Sequence, residues 1–144
     1  MRVARALVLF AALSLTGCAS VTVHGIVRDE QGEPVTIARA KVSDAATGAV
    51  VVDGASNTNG CLDLFELVKG KSQTFVLRVE APGYREAVLS FSRKDVLTLA
   101  VTLMAESGPP ESTVRRIPWD QQPTTYRLYC VPAVPPAAGM IGVR

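Results

Sequence analysis

Between Val21 and Met104 apolar residues recur at every second position, in short runs that turn-forming residues interrupt. Val21, Val23, Gly25 and Val27 share one face of "VTVHGIVR", and Ala38, Ala40 and Val42 alternate through "ARAKVSD". After "AVVVDG" and the turn "SNTNG", Leu62 and Leu64 pair up in "CLDLFEL". Phe75, Leu77 and Val79 then share a face, as do Ala87, Leu89 and Phe91, and finally Leu97, Leu99, Val101 and Leu103. Alternation of period two puts one face of a strand inside and leaves the other wet. Turn signals at roughly 8–12-residue spacing separate the runs, as in sandwiches and barrels. The expected fold is all-β: a seven-stranded antiparallel β-sandwich over residues 21–104.

Ahead of this body stands a leader. Arg2 and Arg5 flank an apolar run from Ala6 to about Ser14, a charged region followed by an apolar one as in secretory signals. A membrane-spanning helix needs about 20 apolar residues, and Ser14, Thr16 and Gly17 interrupt too early. "LTGC" at Leu15–Cys18 resembles the lipobox of bacterial lipoproteins. That resemblance implies cleavage after Gly17, with Cys18 taking a diacylglyceryl group and palmitate as the new N-terminus. A multiply acylated cysteine holds a domain on a membrane without a spanning helix. The alternative is a cleaved, unlipidated leader with a chance cysteine. Ala19 rather than Asp after the cysteine implies the outer membrane of a bacterial envelope.

Charge narrows the partners. Arg2 and Arg5 leave with the leader 1–17, so the remaining Lys and Arg balance the 13 Asp and Glu. No basic stripe in the sequence suggests nucleic acid or anionic headgroups. With Cys18 committed to lipid, Cys61 and Cys130 form an even pair in an oxidising compartment. They are a candidate disulfide; the other reading is two small hydrophobes or free thiols.

A second resemblance covers residues 21–104. "HGIVRDEQGEPVTIARAKV" is similar to the opening of carboxypeptidase regulatory-like domains, with Gly25, Val27, Gly32, Pro34, Ala40 and Val42 at the motif positions. "TNGCLDLFELVKG" matches the middle motif at Thr58, Gly60, Leu62, Leu64, Leu67 and Gly70. "VEAPGY" matches the corner at Val79, Ala81, Gly83 and Tyr84. The resemblance implies a transthyretin-like (prealbumin-like) sandwich and a non-catalytic accessory module. "NTNG" departs from it where an acidic residue is usual, which counts against a calcium role for that turn.

Catalytic constellations are sparse. A catalytic zinc needs about three protein ligands, and His24 is the chain's single histidine, with Val27 where an H-x-x-E pattern requires Glu. Asp29 and Glu30 belong to a turn. Hydroxyisourate hydrolases of the same fold use several histidines and end in Y-R-G-S, of which "YRLY" at Tyr126–Tyr129 keeps two residues. Nothing in the sequence sets a serine on a strained elbow beside His24. "GKS" at Gly70–Ser72 lacks the upstream glycine of a phosphate loop. The expectation is no enzyme, no metal and no cofactor.

Residues 105–144 change character. "AESGPPESTVRRIPWDQQPTT" is rich in Pro, Ser and charge and reads as a linker. Trp119 either packs back on the sandwich or meets a partner. "YRLYCV" at 126–131 has strand character; it would join a sheet edge of its own molecule, with Cys130 reaching Cys61, or add to another protein. Candidate binding aromatics are Tyr84, Trp119, Tyr126 and Tyr129. The expected function is a lipid-anchored binding or scaffolding module for an envelope protein, and the alternative is a glycan- or peptidoglycan-binding lipoprotein.

Overall fold

The computed structural model describes residues 19–108, 111–117 and 130. Its strands are β1 (Ala19–Asp29), β2 (Arg39–Asp44), β3 (Val50–Ala55), β4 (Cys61–Val68), β5 (Thr74–Glu80), β6 (Ala87–Ser92), β7 (Val96–Leu103) and β8 (Thr113–Arg116). They form two four-stranded sheets, ordered β4-β1-β7-β8 and β3-β2-β5-β6.

The alternation decides which faces meet. Val21, Val23 and Val27 of β1 turn inward with Leu62 and Leu64 of β4 and the even-spaced leucines of β7. From the other sheet come Ala40 and Val42, Phe75, Leu77 and Val79, with Ala87 and Phe91. Phe75 and Phe91 sit opposite each other across β5 and β6, ring centroids 5.7 Å apart. Each fully buried Val, Leu or Phe contributes roughly 1.5–3 kcal/mol, so this one shared core carries the fold. One turn has no tolerance for a side chain. Gly60 has φ +76°, and a Cβ there would overlap the Val27 carbonyl oxygen, which accepts the Val35 amide at 3.0 Å.

Two expectations need correction. The strands number eight rather than seven, because β8 lies in the segment read as linker; it pairs antiparallel with β7. The sandwich is also not wholly antiparallel: β1 runs parallel to β7, with Thr22 opposite Val96 and Asp29 opposite Leu103. β1 opens the sandwich and β7 returns from the opposite sheet, so the two meet running the same way. β1 also starts at Ala19, directly after Cys18.

The connections gather at two poles. Residues 45–49, 69–73 and 93–95 lie at the end where β1 begins, and 30–38, 56–60, 81–86, 104–108 and 111–112 lie at the other.

Candidate functional site

The pole away from Ala19 holds a cleft of about 640 Å³ whose lining includes Ile37, Arg39, Glu80, Tyr84, Glu86 and Glu106. Its rim begins in the β1–β2 connection. Ile37 has φ +61°, a left-handed conformation that costs a β-branched residue roughly 1–2 kcal/mol. Ser56 imposes it. This buried serine accepts the Ala38 amide at 2.9 Å through Oγ and donates to the Val35 carbonyl at 2.6 Å. Its backbone completes the clamp: the Ile37 amide donates to the Ser56 carbonyl and the Ser56 amide to the Ala38 carbonyl, both at 3.0 Å. The clamped loop turns the Ile37 side chain outward, 65% exposed. Strain of this kind persists where surrounding structure over-determines it, and it concentrates at binding sites.

Tyr84 forms the other wall. Its amide donates to the Ala81 carbonyl at 3.1 Å across the Pro82-Gly83 corner, and it bridges to Ala105. The side chain is half-buried, one part packed on the core and the rest left to the cleft. The Arg85 guanidinium donates to the Glu106 carbonyl at 2.8 Å, tying the corner to the β7–β8 connection. Two of the cleft carboxylates are already paired: Glu80 with Lys41 at 3.7 Å and Glu86 with Arg78 at 2.8 Å. Exposed pairs like these are worth about 0–1 kcal/mol and exchange readily. Arg39 and Glu106 have no ion-pair partner among the described residues. The cleft therefore offers one aliphatic side chain, one aromatic edge and charges of both signs.

The other sequence candidates fall elsewhere. His24 sits mid-strand on the outer face of its sheet, half exposed, with Nδ1 2.7 Å from Asp63 Oδ1 on β4. Asp29 closes the first turn, its Oδ1 accepting the Gln31 and Glu33 amides, each at 2.9 Å. Asn57 serves "NTNG" in the same way, accepting the Asn59 and Cys61 amides at 2.9 Å each. Cys61 is buried at the start of β4 yet stands outside the core cluster, and its Cα is 5.5 Å from that of Cys130. The leader 1–17, Cys18, Trp119, Tyr126, Tyr129 and the 126–131 stretch other than Cys130 lie outside the described residues. Among the described residues, Tyr84 is thus the one candidate aromatic placed at a cleft. Its neighbours Ile37, Arg39, Glu80, Glu86 and Glu106 carry no sequence signal: they come from three connections and the adjoining ends of β2 and β5, and nothing in "PVTIAR" announces a left-handed isoleucine.

No protein-family model matches the chain, and no curated protein matches it. Similar solved structures include a 5-hydroxyisourate hydrolase from Klebsiella pneumoniae, 14% identical over 67% of this chain and 97% of that one, with a TM-score of 0.48. Another is a minor pilin of Streptococcus agalactiae, 10% identical over 65% of this chain and 48% of the pilin, TM-score 0.47. An (S)-allantoin synthase is 14% identical over 69% of this chain and 44% of its own length, TM-score 0.46. None of these similarities transfers a residue's role to this chain.

Proposed function

We propose that the protein is a non-enzymatic, lipid-anchored module of the bacterial envelope, a transthyretin-like sandwich of the carboxypeptidase regulatory-like kind, tethered through Cys18 to the outer membrane. Its work is to bind a segment of an envelope protein in the Ile37–Tyr84 cleft. The observation that carries this reading is the cleft's position and make-up. It opens at the pole opposite Ala19, so a chain anchored at Cys18 presents it away from the membrane. Tethering raises the local concentration of the cleft for neighbouring envelope components without any new contact. A strained, outward isoleucine beside a tyrosine suits an apolar side chain of a peptide, and Arg39 and Glu106 suit its flanking charges. Sugar rings stack on broad aromatic faces, and among the described lining Tyr84 is the single aromatic, half-buried. The protein partner is therefore preferred to glycan or peptidoglycan.

The test is crosslinking in intact cells from a photoreactive residue at position 37 of the full chain, with adducts identified by mass spectrometry. One dominant protein adduct, diminished by Cys18→Ala, supports the reading. Glycan-bearing or diffuse adducts overturn it and move the site to cell-wall binding.

A further inference from the structure

The pole at which β1 begins differs in chemistry from the cleft pole. Its connections carry Lys69, Lys71, Arg93 and Lys94 against Asp95 alone. Asp95 is committed locally: it accepts the Ser92 amide at 2.9 Å and faces Arg116 at 3.4 Å. Arg93 ties two of the connections together by donating to the Gly70 carbonyl at 2.6 Å. Lys69, Lys71 and Lys94 are exposed. The opposite connections carry Glu30, Glu33, Glu86, Glu106 and Glu111 against Arg85. Asp44, at the end of β2, is a further carboxylate at the basic pole, and even so the connections sort their charges by sign between the two ends. No basic stripe runs along the sequence; the fold brings the lysines of two separate connections to one end.

Beside this basic pole the outer face of β4, β1 and β7 exposes three large apolar side chains; the His24–Asp63 pair lies on the same face, and exposed Glu66 stands between two of them in the sequence. Phe65 is 62% exposed, Leu67 55% and Val96 73%. The register makes them neighbours: Leu67 lies opposite Ser20, and Phe65 and Val96 flank Thr22 from either side. Thr22 is three residues from Ala19, about 10 Å along the strand. Ala19 itself pairs with Val68, immediately before Lys69. Position 18 is the residue bonded to Ala19, so a lipid on Cys18 would join the chain beside this corner.

We propose that this corner is a bilayer-docking surface, in which Phe65, Leu67 and Val96 enter the headgroup boundary of an anionic phospholipid membrane while Lys69, Lys71 and Lys94 pair with its phosphates. The orientation rests on the lipid anchor proposed above; the surface itself does not. Apolar side chains ringed by lysines are how interfacial segments hold to anionic lipid, and a lipid chain plus a basic patch is a more stable attachment than either alone. Docking there fixes the domain flush on the membrane and turns the acidic cleft pole outward.

The test uses the full chain with Phe65→Trp or, at the opposite pole, Ile37→Trp, each read against the parent chain to subtract Trp119. Vesicles contain phosphatidylglycerol and phosphatidylcholine, with bromine-labelled acyl chains as quenchers. The expected result is quenching of the Phe65→Trp signal several-fold above that of Ile37→Trp. It falls to the Ile37→Trp level with Lys69→Gln, Lys71→Gln and Lys94→Gln combined, or in pure phosphatidylcholine. Equal quenching of the two reporters on vesicle-bound chain overturns the docking surface. A Phe65→Trp emission already blue-shifted before vesicles are added, with a dimer mass in solution, gives the patch to a second copy and also overturns it. The mass of the Cys18 peptide decides the anchor separately. Unmodified Cys18 with selective Phe65→Trp quenching leaves the surface standing and removes the lipid.

Discussion

At the scale of single residues, two side chains show how the poles are held. Ile37 is kept left-handed by Ser56, and the cost has no repayment inside the fold because the side chain points to solvent. Asn adopts that conformation more readily than a β-branched residue. Ile37→Asn therefore stabilises the protein by about 1 kcal/mol, seen as a higher urea midpoint at unchanged slope, while crosslinking from a photoreactive residue placed instead at position 106 of the cleft falls. Lower stability would mean the isoleucine is structural. At the other pole, Asp44 accepts the Ser72 hydroxyl and the amides of Ala46 and Thr47, the last two at 2.7 and 3.3 Å. These bonds, Ser72 foremost, hold its carboxyl below the ordinary value of 3.8 against the opposing effect of burial. A depressed folded pKa stabilises fully above the unfolded value and is lost as pH falls through the folded one. The parent should thus lose stability below about pH 3.8 more steeply than Asp44→Asn, a difference that acid titrations of the urea midpoint resolve.

At the scale of elements, six strands are legible because burial on one face writes itself into the sequence as alternation, while β3, without a buried residue, is legible from its run of valines between turns. Val21-Val23-Gly25-Val27 and Leu97-Leu99-Val101-Leu103 state their inward faces residue by residue. β8 is not legible for the opposite reason. "TVRR" offers one apolar residue between prolines, and what makes it a strand is its neighbour. β7 would otherwise present a bare edge, and an unpaired row of backbone groups recruits whatever chain passes. Ser112 delivers the segment: its Oγ accepts the Met104 amide at 2.9 Å and donates to the Arg85 carbonyl at 2.6 Å. Arg116 then fastens the far end on Asp95 at 3.4 Å. The parallel β1–β7 pairing is equally silent in the sequence, since alternation is identical in both directions. Ser112→Ala should cost about 1–2 kcal/mol and fall locally, with amide exchange of residues 113–116 accelerating roughly tenfold while β1 and β5 amides change little. Uniform acceleration across all strands would show that β8 belongs to the global unit instead.

At the scale of the whole molecule, the sandwich core accounts for one side of each sheet, yet the outer face of β4, β1 and β7 also contains buried residues. Cys61, Ile26, Thr98 and Ile117 are all buried. Ile26 lies opposite Cys61, and the Ile117 amide donates to the Thr98 carbonyl at 2.7 Å. Cys130, 69 positions beyond Cys61, is the described residue of the C-terminal segment that reaches it. The 5.5 Å between their Cα atoms falls within the roughly 4.4–6.8 Å that disulfides span. In an oxidising compartment such proximity predicts a bond, and closing so long a loop stabilises by about 2–4 kcal/mol, chiefly by restricting the unfolded chain. Cys130→Ser should therefore lower the unfolding free energy read from urea titration by that amount, reduction of the parent should reproduce the loss, and reduction of Cys130→Ser should add nothing. Alkylation of the unreduced, unfolded parent should leave both thiols unlabelled. Labelling of either thiol, or a Cys130→Ser midpoint equal to the parent's, would make the two cysteines neighbours without a bond.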